Sequence, residues 1–95
     1  MKKIIIPIVL MISFTGLFGH PIFPSDIQIL NISVQDNMLT LNVSEEILNT
    51  SGSSHDEYYI LKLIQKTAEF HNIDDITLLV NGEIAIFPKG SFLKP

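Results

Sequence analysis

Two lysines, Lys2 and Lys3, precede sixteen uncharged residues from Ile4 to Gly19, IIIPIVLMISFTGLFG. That run constrains the chain more than any other feature. A cationic start followed by an apolar stretch is the order of a secretory signal. A membrane-spanning helix needs about 20 residues, so the run is short unless Pro21, Ile22 and Phe23 extend it. Cleavage after Gly19 would leave Leu17 at the −3 position, and cleavage after Ser25 would leave Phe23 there; neither suits a signal peptidase. The sequence therefore divides into a signal peptide or N-terminal membrane anchor over 1–19, a linker over 20–26 and a folded part over 27–95. The competing reading of the run is a buried core helix. Its lack of a polar face at helical spacing weighs against that. The lysines ahead of it place the N-terminus on the cytoplasmic side.

The other 76 residues, 20–95, hold all ten acidic side chains against four lysines, a net of −6, where the whole chain is −4. Nucleic acid is bound through Lys and Arg that neutralise phosphate, so an acidic body excludes it as a partner. The absence of cysteine excludes disulfides, zinc–thiolate sites, thiol nucleophiles and a lipid-modified cysteine.

Alternation sets in at Leu30, Ile32 and Val34, with Ile27 and Ile29 in the opposite phase, which predicts a strand with a bulge or a strand start near Ile29. Gln35–Met38 reads as a turn with Asn37 in a left-handed conformation. Leu39, Leu41 and Val43 then form the inward face of a second strand. Ser44–Leu48 reads as one helical turn capped by Ser44. A polar loop over Asn49–Ser54 leads to a capping box, Ser54 with Glu57, and a helix from about His55 to His71. Ile60, Leu63, Ile64, Thr67 and Ala68 supply its buried stripe. Ile76, Leu78 and Val80 form a third strand, Asn81-Gly82 is a hairpin turn, and Glu83–Phe87 a short fourth strand stopped by Pro88. The fold class is α+β: a small antiparallel or mixed sheet with one main helix, in the order β-β-α-β with a short last β.

No residue set predicts chemistry. His55 and His71 stand sixteen positions apart in the sequence, which along a helix at about 1.5 Å per residue is too far to share a metal. His71 reads as a partner of the helix dipole. Ser51, Ser53, Ser54, His55 and Asp56 contain the residue types of a hydrolytic triad, but the three groups of a triad converge from separate segments. Asp74-Asp75 and Glu45-Glu46 lie in polar connections without the spaced oxygen ligands of a calcium loop. The triplets at Asn31, Asn42 and Asn49 match the glycosylation sequon, two of them inside strands. Tyr58, Tyr59 and Phe70 flank the helix stripe and are assigned to the core, with a binding surface as the alternative. The expectation is no enzyme and no catalytic, cofactor or metal residues.

Several of these segments together resemble the sporulation and spore germination GerMN domain. Leu63-Ile64-Gln65-Lys66-Thr67-Ala68-Glu69-Phe70 is similar to its helix end, and Ile73–Glu83 to its last strand and Asn-Gly turn. Ile32–Asn37 is similar to its first hairpin strand, with Asn37 where glycine is usual, and Leu39–Leu48 to the segment after it. The resemblance covers roughly 29–95. It implies a non-catalytic envelope module related to ring-building motifs, with the family's first strand and the helix before the hairpin missing. It implies partners among envelope proteins or further copies of the chain, and contact with the membrane through an uncleaved N-terminal segment. The protein is then expected to be exported, anchored at the extracytoplasmic face or secreted. The alternative is a small secreted ligand-binding or inhibitory protein that uses the Asn49–Ser54 loop.

Overall fold

A computed structural model describes residues 7–49 and 53–93. Four strands form one mixed sheet in the order β1-β2-β3-β4: β1 (Ile29–Gln35), β2 (Met38–Val43), β3 (Asp75–Val80) and β4 (Glu83–Ile84). Two helices, α1 (Pro7–Phe18) and α2 (Ser54–Phe70), complete it, with a short 3-10 turn over Glu45–Leu48. The fold is the expected α+β class.

The two hairpins follow from their turn residues. Asp36 and Asn37 both take positive φ, 52° and 65°, and close β1 on β2 with Gln35 opposite Met38. Asn81 and Gly82, at 51° and 87°, do the same between β3 and β4. Two left-handed central residues match the right-handed twist of the strands they join, which is why Asn, Asp and Gly are favoured there. A bulge lies between Ile29 and Asn31. β2 and β3 run parallel, Leu39 beside Ile76 and Leu41 beside Leu78, with α2 as the crossover between them. The Asn37 carbonyl accepts the Asp74 N–H at 3.0 Å, so the first hairpin turn also fixes where β3 begins.

Alternation gives the sheet one covered face. Leu39, Leu41, Val43, Ile76, Leu78 and Val80 are buried, joined by Ile32 from β1. α2 covers them with Ile60, Leu61, Ile64 and Ala68. The stripe is rotated from the expected one: Leu61 is buried, while Leu63 and Thr67 are partly exposed and the Thr67 hydroxyl donates to the Leu63 carbonyl at 2.9 Å.

The N-terminal run departs from expectation. α1 places Leu10, Phe14 and Phe18, one helical turn apart, at 0%, 0% and 8% exposure in the same core, and lies against β1 and α2. A helix thus precedes the hairpin, and a signal or anchor helix is not what its packing describes. The physical reason is that α1 is apolar all round. A 3.6-residue pattern cannot distinguish a core helix from an export segment when the outward positions Val9, Met11 and Ile12 are apolar too. Among the described residues no helix is long and apolar enough to cross a membrane. Residues 20–26 are likewise no free linker: Phe23 is buried, edge-on to Phe18 with ring centres 5.2 Å apart.

The tail beyond β4 closes the core with Ala85, Phe87 and Leu93. Phe87–Gly90 is a turn with Pro88 at its second position and Gly90 at φ 94°, its N–H bonded to the Phe87 carbonyl at 2.7 Å. Phe14→Ala should cost about 3–5 kcal/mol in urea unfolding, the penalty for emptying a buried aromatic site. Ile12→Ala, on the outward side of the same helix, should change stability by less than about 0.5 kcal/mol. Equal small losses would place α1 outside the core.

Candidate functional site

Several of the polar groups singled out in the sequence hold turns and helix ends. The cap of α2 is Ser53, one residue before the expected Ser54. The Ser53 hydroxyl accepts the Asp56 N–H and the Asp56 carboxylate accepts the Ser53 N–H, both at 3.3 Å. Ser53-Ser54-His55-Asp56-Glu57 offers two overlapping cap frames, and packing chooses between them. Glu57 shares a face with Ile60, Leu61 and Ile64 and is fully buried, so it cannot reach back to a cap. Ser53 and Asp56 are thus engaged in a local structural contact and His55 is exposed, while Ser51 lies outside the described residues.

Buried Glu57 has a different partner. Its Oε2 accepts the backbone N–H of Lys89 at 2.9 Å, a donor that the Phe87–Gly90 turn leaves free. Oε1 is buried with no hydrogen-bond partner among the described residues. The carboxylate ties the C-terminal tail to the first turn of α2, a role invisible in sequence because a charge on a buried stripe reads as an exposed one.

His71 ends α2, and its Nε2 is hydrogen-bonded to Ser13 Oγ of α1 at 2.9 Å, so it joins the two helices. Asn72, at φ 63°, turns the chain out of the helix. His20 Nδ1 accepts the Ile22 N–H at 3.2 Å. Among the described residues no group of three His, Asp or Glu is placed to hold a metal. Asp74, Asp75 and Glu69 line a shallow groove of ≈ 130 Å³ with Gln65, Ala68, Ile73 and Ile76, and nothing marks it as more than a solvated cleft. Asn42, in one of the sequons, accepts the Gly82 N–H at 2.9 Å and so braces the second hairpin.

Ser44 does not cap the 3-10 turn with its side chain. Its hydroxyl oxygen accepts the Gln28 N–H at 2.9 Å, while its N–H donates to the Gln28 carbonyl. The Ser44 hydroxyl is also the main cause, ahead of the Glu46 backbone N–H, that holds the Glu46 carboxyl below the usual carboxylate range.

What remains for recognition is apolar and exposed. Tyr58, Tyr59 and Phe70, assigned to the core from sequence, stand on the outer side of α2 at 58%, 50% and 84% exposure. The Lys62 ammonium lies 5.5 Å from the centre of the Tyr58 ring. Tyr59, Leu63, Lys66 and Phe70 follow i, i+4, i+7, i+11 spacing and share one helical stripe. Ile12 on α1 is 68% exposed. Phe70 and Ile12 adjoin His71 and Ser13, the two residues that link the helices. The open face of the sheet is mostly polar, with rows Ser33–Thr40–Thr77 and Asn31–Asn42–Leu79–Ile84.

The class this geometry defines is a small α+β module, a four-stranded mixed sheet with two helices on one face and exposed apolar side chains on both helices. Residues 16–85 match the Germane family of sporulation and spore germination, well over half the chain, and the chain belongs to that family. The match begins inside α1, upstream of the 29–95 resemblance read from the sequence. A 2.5 Å crystal structure of a candidate lipoprotein from Clostridium perfringens has the same fold, with a TM-score of 0.74 and 22% identity. It is matched over 83% of this chain, which spans only 58% of that one. No curated protein matches this sequence.

Two outcomes test the site's construction. Ser53→Ala should cost about 1 kcal/mol and Ser54→Ala less than about 0.5, measured by urea unfolding, because only the first removes a cap. Ser44→Ala should raise the Glu46 pKa toward the ordinary carboxylate value in an NMR titration. A carboxyl depressed in the folded state contributes stability above its unfolded pKa and loses it as pH falls through the folded value. The variant should therefore lack this contribution above the ordinary carboxylate range, and the pH-dependent difference from the parent should vanish as pH falls through the folded value.

Proposed function

We propose that the chain is a non-catalytic envelope module that acts by binding other envelope proteins, or further copies of itself, during sporulation or germination. The observation that carries this reading is the family match over residues 16–85. The exposed apolar side chains of Ile12 on one helix and Tyr59 and Phe70 on the other support a binding role. Ser53, Asp56 and Asn42, among the polar side chains singled out from sequence, are engaged in a cap and a turn. The fold shared with a candidate lipoprotein, and the order of lysines then apolar residues in Lys2–Gly19, favour an extracytoplasmic location. In this reading α1 stays with the exported protein, because the core needs Leu10, Phe14 and Phe18.

Deleting the gene in its own host should lower heat-resistant spore counts or delay germination. The parent gene should restore the phenotype. A copy with Ile12→Lys and Phe70→Lys should not, although its unfolding midpoint stays near the parent's. Unchanged spore counts and germination timing in the deletion strain would refute the reading. Mass measurement of the protein from the envelope fraction should return the chain with α1 still attached.

A further inference from the structure

The two edges of the sheet are not alike. β4 is two residues long, carries Glu83 and is followed four residues later by Pro88, so it offers little to a foreign strand. β1 is seven residues long, ILNISVQ, with no charge and no proline. Edge strands are ordinarily guarded by charges, prolines, bulges or brevity. Here the bulge at Ile29–Asn31 guards one end only.

The register of the hairpin says which backbone groups are free. Gln35 and Met38 close a two-residue turn and so form the first hydrogen-bonded pair. By alternation Ser33 bonds to Thr40, while the N–H and C=O groups of Ile32 and Val34 face away from β2. Among the described residues no hydrogen bond reaches them.

We propose that β1 pairs antiparallel with β1 of a second copy, about a two-fold axis through Ser33, to give a continuous eight-stranded sheet. This pairing sets Ile32 against Val34 of the second copy and uses all four free backbone groups of each strand. It also fits the side chains. Ile32 and the half-buried Val34 lie on the covered face, so the axis brings β-branched apolar residues together. Ser33 meets its counterpart on the open face, where two hydroxyls can hydrogen-bond. Charge agrees as well: Asp36 falls opposite Leu30, which is exposed, and no acidic residue of one strand meets an acidic residue of the other in a body that is otherwise acidic. The pairing deepens the binding role proposed above by naming a partner. It can fail while that role stands, since the deletion phenotype does not depend on it.

Sedimentation equilibrium of the full chain over about a hundredfold concentration range should show the mass rising from 10.7 kDa toward twice that value. Ser33→Lys places two ammonium groups on the axis and should raise the dissociation constant by about tenfold or more. Because the chain has no cysteine, Ser33→Cys supplies an independent reading. On mild oxidation it should form a disulfide-linked dimer at concentrations where Ile86→Cys, beyond the opposite edge, stays monomeric. Far-UV circular dichroism checks that each variant is folded. A monomer at every concentration, with no faster cross-linking through Ser33→Cys, would overturn the pairing. So would a dimer that Ser33→Lys leaves intact and Ile12→Lys abolishes, which would assign the contact to α1.

Discussion

The structure depends on burying Leu10, Phe14 and Phe18 against the sheet. A chain this short has little core to spare, since small domains bury a smaller share of their surface than large ones. β2 and β3 present six buried apolar side chains on one face, and α2 brings four apolar ones to cover them. One helix cannot cover a four-stranded sheet, because strands lie about 4.8 Å apart and a helix is about 10 Å wide. α1 covers the β1 side, Phe23 follows it into the core, and Ala85, Phe87 and Leu93 close the rest. Each buried aliphatic or aromatic side chain contributes about 1.5–3 kcal/mol, so the three from α1 are of the order of the net stability of a whole small domain.

Polar contacts fix how the pieces meet. The Ser13–His71 bond joins α1 to the end of α2, and Glu57 joins the beginning of α2 to the Lys89 N–H in the tail turn. The Asn37 carbonyl joins the first hairpin to the start of β3, and the Asn42 side chain joins β2 to the second hairpin turn. None of these bonds is strong by itself, at about 0.5–1.5 kcal/mol net. Together they tie every element to another far away in sequence. Among the described residues, the outer apolar side chains of the helices stay exposed.

Much of this was legible from residues alone. The β1–β2 hairpin, the α2 helix and the Asn81-Gly82 turn follow from periodicity and turn chemistry, since these signals act over a few neighbouring residues. The pairing of β2 with β3 as parallel neighbours was not, because it joins strands more than thirty residues apart. α1 was misread for a deeper reason: an apolar run suits a membrane, a translocation channel and a protein core alike, and only the sheet face awaiting cover decides among them. The cap frame, Ser53 instead of Ser54, turned on where Glu57 points, and the exposed Tyr58, Tyr59 and Phe70 on how far the α2 stripe rotates toward Leu61. These are tertiary facts.

Amide hydrogen exchange of the full chain in aqueous buffer, without detergent, tests the central claim most directly. If α1 is a core helix, the amides of Phe14–Phe18, whose partners lie one helical turn back, should be protected to nearly the same free energy as those of β2, because both open only with the whole domain. Exchange of those amides at unstructured rates, with β2 still protected, would contradict the account and make the N-terminal run an appendage of a fold that stands without it.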